Sequence, residues 1–287
     1  MRLLLTGASG FIGSSFSAHY RNKFDIESFS FHRNLNELSL STIDAVVHLA
    51  ALVHQMDGAS IHAYHEVNVV KTLALAKKAK EAGVKHFVFM SSVKVYGEES
   101  DLSYTETTSC HPKDPYGASK LEAEKALLAM QDENFRVAII RTPLVYGEGV
   151  KANVLRLITL TERYHYLPFG KIDNKRSMIY VENLTYLIAE LLVQNQTGIF
   201  LASDDKPLST SELIIYIAKA LDKKCILFSA TLLKYLLKRI KPALYQRLYQ
   251  SLYVDNAMTK KRLHLQNPYT TQEGIIKMVD WYKAQQR

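Results

Sequence analysis

Tyr116 and Lys120 place a phenol and an ammonium four residues apart in the run Tyr116-Gly117-Ala118-Ser119-Lys120. On a helix that spacing puts both groups on one face. A tyrosine ordinarily ionises at about pH 10, and an adjacent cation favours the phenolate. Such a phenol exchanges a proton with a hydroxyl or a carbonyl near neutrality. Read plainly, the pair is a surface contact, because the spacing recurs by chance. Ser91 and Ser92 weigh against that. They follow the apolar run His86-Phe87-Val88-Phe89-Met90, upstream of the pair. Hydroxyls in that place lie at the C-terminal end of a strand, the edge where open α/β sheets bind ligands. The plain alternative is two loop hydroxyls bonded to backbone.

A second chemistry stands at the start of the chain. Leu3-Leu4-Leu5-Thr6-Gly7-Ala8-Ser9-Gly10-Phe11-Ile12-Gly13 reads as strand, glycine turn and helix, with the spacing GxxGxxG. Gly7 permits a tight turn, Gly10 lets backbone approach a pyrophosphate, and Gly13 lets the helix pack closely on the sheet. N–H groups at the helix start, around Ser9, Phe11 and Ile12, would hold the phosphates of a dinucleotide. A glycine-bearing surface turn is the alternative. The second strand runs into Phe31-His32-Arg33, with no carboxylate for the ribose hydroxyls. Arg33 would suit a 2′-phosphate, which tilts the cofactor from NAD toward NADP. A solvated loop arginine is the other reading.

These groups need strands and helices to position them. Short apolar strands are expected at Arg2–Leu5, Ile26–Phe31, Asp44–Leu49, His86–Met90 and Arg136–Ile140. Helical spacing fills Phe11–Asn22, Val67–Ala82 (closed by Gly83) and Tyr116–Met130. Alternating strand and helix, with strands apolar throughout, implies a parallel sheet covered on both faces. The fold class is therefore α/β: a doubly wound Rossmann-type sheet with a smaller mixed C-terminal part. Residues 1–147 are expected to form the dinucleotide-binding domain, with the chain returning to it around 177–203, and residues 148–287 the substrate-binding domain. Helices are expected near Lys151–Tyr164 and Glu182–Gln194, followed by a basic, Tyr- and Leu-rich segment from Ala230 to Tyr253.

The 287 residues carry 36 Lys and Arg against 28 Asp and Glu, a formal net charge of +8. That excess suits an anionic partner: nucleic acid, a membrane surface or a phosphorylated small molecule. Cys110 and Cys225 make neither a disulfide framework nor a metal pair, and free thiols fit a cytoplasmic chain. The apolar start is too short for a signal peptide, and no run is long enough to span a bilayer. His48, His54, His62 and His65 cluster, but without the carboxylate or thiolate pattern of a metal site, so no metal is expected. His54 stands where it would reach a substrate pocket. The stretch Leu232–Leu252 carries Lys234, Lys238, Arg239, Lys241 and Arg247 among leucines and tyrosines. It reads as a substrate-domain helix pair split by Pro242 with a solvated basic face, or as a membrane-surface helix.

Thr6–Gly13, His48-Leu49-Ala50-Ala51, Asn68, Ser91–Gly97, Tyr116–Lys120 and Arg176–Asn183 together resemble the extended short-chain dehydrogenase/reductases. These include UDP-glucose 4-epimerase and the nucleotide-sugar dehydratases and reductases. The resemblance runs through to Thr271–Tyr282. Ser91–Val95, Pro143–Asn153 and Gly170–Ser177 look most like the bacterial UDP-sugar 4-ketoreductases of the UDP-N-acetylquinovosamine dehydrogenase type. The resemblance implies that Ser92 bonds the reacting sugar oxygen, Tyr116 is the acid/base, and Lys120 binds the nicotinamide ribose and shifts Tyr116. It implies that Leu49, Ala50 and Ala51 lie beside the cofactor and that Asn68, Pro143 and Val145 border the nicotinamide. Arg176 would bind the diphosphate, Asn153 the diphosphate or uridine, and Lys94 the substrate. Expected is NAD(P)H-dependent reduction of a UDP-4-keto-6-deoxy-N-acetylhexosamine, or a 4-epimerase retaining NAD, in a homodimer built through Val67–Ala82 and Tyr116–Met130. A non-catalytic nucleotide sensor or RNA binder is the rival of another class. Val93-Lys94 replaces the Asp-Glu of dehydratases, which argues against 5,6-dehydration. Between Arg33 and Asp44 the family's usual further strand has too little room, so Asn34–Ser41 must replace it or leave it missing.

Overall fold

The computed structural model describes residues 1–53, 59–100 and 102–286. Its centre is a six-stranded parallel sheet in the order β2-β1-β3-β4-β5-β9. The strands are β1 (Arg2–Thr6), β2 (Asp25–Phe29), β3 (Ala45–His48), β4 (His86–Ser92), β5 (Arg136–Thr142) and β9 (Gly198–Leu201). Leu3, Leu4 and Leu5 are all buried, as are Val46, Val47 and Phe87 to Phe89. A strand with both faces covered cannot alternate apolar and polar residues, which is why these runs are continuous. The chain leaves β1 for β2 on one side and returns to β3 on the other, so the strand order reverses beside β1. The turns after β1 and β3 flank that crevice, the usual ligand position in such sheets.

One face of the sheet packs on α1 (Phe11–Tyr20) and α6 (Val181–Val193), with Phe16, Leu184, Ile188 and Leu191 among the core. The other face packs on α3 (Lys71–Glu81) and α4 (Pro115–Ala129) through Leu75, Ala76, Ala79, Ala123 and Leu127. A third core joins β6 (Leu144–Tyr146) and β8 (Met178–Tyr180) to α5 (Ala152–Arg163), α7 (Thr210–Ala220) and α11 (Thr271–Ala284). Capping boxes start α7 (Ser209 with Glu212) and α11 (Thr270 with Glu273). The remaining elements are β7 (Tyr166–Leu167), β10 (Ile226–Leu227), α8 (Thr231–Ile240), α9 (Pro242–Tyr249) and α10 (Ala257–Leu263).

Two element boundaries are corrected, and one open alternative is decided. The helix placed at Val67–Ala82 begins earlier: α2 (Ile61–His65), a π turn (Glu66–Val70) and α3 run on without a break. Ser60 caps it, its hydroxyl accepting from the Ala63 N–H at 3.1 Å. The strand placed at His86–Met90 runs to Ser92, because Ser91 and Ser92 pair with Arg141 and Thr142 of β5. Residues 34–41 form no strand. Asn34 caps a short 3₁₀ turn at Leu35–Glu37, and Leu38 and Leu40 are buried against the core around Val46 and Leu75. Two apolar plugs cover that corner of the sheet, and β2 is left as its edge.

Candidate active site

The glycine turn meets the loop after β3. Gly7 has φ +73°, and a Cβ on it would lie 2.8 Å from the Ala50 nitrogen. A Cβ on Gly13 would lie 2.2 Å from the Gly7 carbonyl oxygen, so α1 seats directly on the turn. Gly10, the residue preceding α1, gives no side-chain cap, and the first turn of α1 holds no carboxylate. Its N–H groups and positive helix end are therefore open to an anion. Ser9 and Gly10 are exposed, Phe11 and Ile12 half-buried. These features fit a dinucleotide pyrophosphate.

Beneath this crevice His48 bridges Thr6 (Nδ1···Oγ1 2.6 Å) and Thr72 (Nε2···Oγ1 2.9 Å). Burial, reinforced by the Lys120 charge, pushes His48 down to about 3, so the imidazole is neutral. It is a structural core histidine. His65 faces Glu122 at 3.2 Å. His62 is exposed on α2, and His54 lies outside the described residues. Among the described residues no three His, Cys, Asp or Glu gather as metal ligands.

The π turn gives Asn68 its place. An extra residue in one helical turn redirects the side chains that follow. Asn68 is buried, accepts from the Leu52 N–H (2.8 Å) and donates to the Leu52 carbonyl (3.0 Å) and to Ser119 (3.1 Å). Ser119 in turn donates to the Tyr116 carbonyl at 2.8 Å. One side chain thus fixes the loop after β3 against the first turn of α4.

Asp114 caps α4, accepting from the Gly117 N–H at 2.6 Å, and Pro115 follows it. The helix then presents Tyr116 beside Ser92, whose hydroxyl favours the phenolate. Tyr64 packs edge-on against Tyr116, ring centroids 6.2 Å apart. Burial, with the Asp114 charge adding to it, pushes the Tyr116 phenol up to about 12, against the opposing influence of the Ser92 hydroxyl. Lys120 donates to the Met90 carbonyl (2.8 Å) and lies 4.4 Å from the Phe89 ring centroid. Burial pushes Lys120 down to about 7, although Glu124 opposes this. The ammonium bonds the backbone of strand β4, and desolvation is the largest influence on both groups.

Sequence reasoning passed over the support of this site. Ser91 donates to Glu124, which is paired with Arg141 (Nη2–Oε2 2.6 Å, Nε to both oxygens 3.1 Å). All three are buried. Glu124 stands four residues beyond Lys120 on the buried face of α4, beside Ala123 and Leu127, and an acidic residue at that spacing was the only signal. The Asp114-Pro115 capping pair was a clearer one.

Just past β4, Lys94 bridges Glu98 (2.9 Å) and Asp114. Burial raises the Asp114 carboxyl, but hydrogen bonds from Lys94 and the Gly117 N–H outweigh it and hold the group below its ordinary value. Arg176 is half-buried, with its backbone bridging Leu208 and Leu252 and its Nη1 donating to the Gln250 carbonyl at 3.3 Å. Burial lowers its guanidinium, and Glu98 and Arg247 act on it with opposite signs. Glu98 thus pairs with Lys94 and acts on Arg176 through its charge alone. Pro143 is buried after β5, and Val145 packs between two of the cores. Leu49, Ala50 and Ala51 follow β3 directly and are half-buried or on its end. Two residues stand apart from these contacts. Asn153 is exposed on the first turn of α5. Arg33 grips Glu37 (2.6 and 3.0 Å) over the Phe29 ring.

Comparison with known proteins agrees with this geometry. Residues 24–200 match the sequence profile of the NAD dependent epimerase/dehydratase family. A UDP-glucose 4-epimerase of Vibrio cholerae is 37% identical over 95% of this chain and 93% of its own. The N-acetyl-alpha-D-glucosaminyl-diphospho-ditrans,octacis-undecaprenol 4-epimerase of Escherichia coli O157:H7 is 29% identical over 77% of this chain and 73% of its own. In fold, the chain resembles a UDP-glucuronic acid 4-epimerase from Bacillus cereus solved with NAD, at TM-score 0.81 and 19% identity over the whole of both chains.

Proposed function

From the premise that this chain belongs to the NAD-dependent epimerase/dehydratase family, we propose that it is a nucleotide-sugar oxidoreductase acting at C4 of a UDP-hexose. The reaction is the NAD(P)H-dependent reduction of a UDP-4-keto-6-deoxy-N-acetylhexosamine for surface polysaccharide. The observation that carries this is the convergence of Ser92, at the C-terminal end of β4, with the buried Tyr116 phenol, and Lys120 one helical turn on. When bound, the nicotinamide cofactor supplies the hydride. Ser92 orients the sugar carbonyl. Tyr116 donates the proton to O4, and a phenol pushed up to about 12 is protonated at neutral pH, as a donor must be. Asn68 and Ser119 fix the helix turn that carries the phenol.

Gly7, Ser9, Gly10, Phe11, Ile12 and Gly13 would hold the pyrophosphate, Leu49 to Ala51 would line it, and Lys120 would bind the ribose. Pro143 and Val145 would border the nicotinamide. Arg176, Lys94 and Asn153 would take the sugar nucleotide, Arg176 through its guanidinium fork. A 2′-phosphate would take Arg33 from Glu37, so the preference for NADPH over NADH depends on that exchange. A second reading is a UDP-hexose 4-epimerase that retains NAD. The names of the two relatives favour it, and Ser92, Tyr116 and Lys120 serve both.

Cofactor turnover separates the two. The purified protein, given the 4-keto sugar nucleotide, is expected to consume NAD(P)H stoichiometrically. Interconversion of UDP-N-acetylglucosamine and UDP-N-acetylgalactosamine without net consumption would instead establish the epimerase. In either case Tyr116→Phe should lower kcat by roughly 10²-fold or more while cofactor binding persists. Unchanged turnover would remove Tyr116 from the mechanism.

A further inference from the structure

The hairpin α8–α9 lies outside the site described above, and it is built inside out. Leu232, Leu236 and Ile240 recur every four residues on one stripe of α8 and are 75%, 47% and 70% exposed. Neither helix contains a buried residue. On the other side of α8, the Lys234 and Lys238 ammonium groups lie over the rings of Tyr249 and Tyr245, 5.6 and 5.8 Å from their centroids. The lysine stripe therefore faces α9, and the leucine stripe faces outward. A helix pair made for water does the reverse. The chain entering α8 adds exposed Ile226 and Phe228.

Charge decides what covers this face. Residues 223–254 hold seven Lys and Arg and no Asp or Glu. Nearly all of the formal net charge of +8 thus sits around the exposed leucines. A second copy of the chain would bring the same cations, and like charges oppose that contact. An anionic lipid surface supplies both complements: headgroup charge for the cations and an acyl boundary for the leucines.

We propose that α8–α9 is an interfacial docking element that seats the chain on an anionic bilayer. Leu232, Leu236 and Ile240 enter the headgroup boundary, and Arg239 and Lys241 meet the lipid phosphates. At about 1.5 Å per residue α8 is some 15 Å long, half the hydrocarbon core. The hairpin therefore lies on the surface, and among the described residues no helix is long and apolar enough to cross a membrane. The far end of α9 is fastened beside Arg176: the Gln250 carbonyl accepts from Arg176 and from Asn174 (3.1 Å), and the Leu248 carbonyl from Thr210 (2.7 Å). Docking would bring that edge of the molecule to the lipid.

The test is co-sedimentation of the full chain with vesicles of phosphatidylglycerol and phosphatidylcholine, against phosphatidylcholine alone. Binding is expected to the anionic vesicles only and to weaken as salt rises. The triple variant Leu232→Ser/Leu236→Ser/Ile240→Ser should lower the partition coefficient about tenfold or more. Arg239→Gln and Lys241→Gln should each lower it roughly fivefold. All these side chains are exposed, so thermal melting should match the parent, and turnover of a soluble sugar nucleotide should be unchanged. No binding by the parent, or equal binding by the triple variant, overturns the proposal. So does light scattering that shows the triple variant dissociating an oligomer while vesicle binding is absent.

Discussion

Lys120 is the residue in which position and chemistry conflict most. Its stem runs through the core to the Met90 carbonyl, and burial lowers its ammonium to about 7 from an ordinary value near 10.5. The unfolded chain keeps that proton up to its ordinary value, whereas the folded chain gives it up about neutrality. Between those pH values the unfolded state binds more protons, so this group makes stability rise with pH. The urea midpoint of the parent should therefore gain on that of Lys120→Met between pH 7 and pH 9.5. Parallel shifts of the two midpoints would contradict the assignment. That Tyr116 and Lys120 share one helix was legible from spacing. The direction in which burial shifts them was not, because desolvation depends on Phe89, Met90 and the helix packed over them, and none of these is near in sequence.

At the scale of elements, the joint between β1 and α1 shows what a short sequence signal is able to specify. Gly7 and Gly13 were legible as turn and packing glycines, and both are required by backbone approach. Adding a methyl group at Gly13 would place it 2.2 Å from the Gly7 oxygen. Gly13→Ala should therefore lift α1 from the turn, costing about 1–3 kcal/mol by overpacking. The loss is checked by denaturant midpoint, and dinucleotide affinity, read by fluorescence titration, should fall with it. The helix through Asn68 was harder to read. Its apolar spacing was visible from Val67 onward, but the π turn preserves no simple period, so the Ser60 start escaped notice. The strap at residues 34–41 is a third case: spacing left open whether it replaced a strand, and only contact with Val46 and Leu75 shows Leu38 and Leu40 to be core.

For the whole molecule, the Glu124–Arg141 pair binds α4, β5 and, through Ser91, β4. Two buried charges stabilise little in net terms, but one left alone is severe. Glu124→Gln should cost about 3–5 kcal/mol in the urea-unfolding free energy. A double variant replacing both residues with leucine should recover much of that loss. If the double variant is no more stable than the single one, the buried charge is not the cause. The basic segment belongs to this scale as well. Its lysines and leucines were countable, yet both a solvated helix pair and a surface-lying helix fit the count.

The sequence alone determined the alternation of strands and helices, the glycine turn at the sheet's reversal point, and the order of Ser92, Tyr116 and Lys120 along the chain. Local periodicity and turn chemistry carry that information. Tertiary structure decided the rest. It turned His48 into a neutral core bridge, tied Asn68 to Ser119, closed the sheet at β2, and turned the leucines of α8 outward. Each of these depends on residues tens of positions apart meeting in a medium poor in water. There, burial and partners set charge and exposure, and sequence distance says little about either.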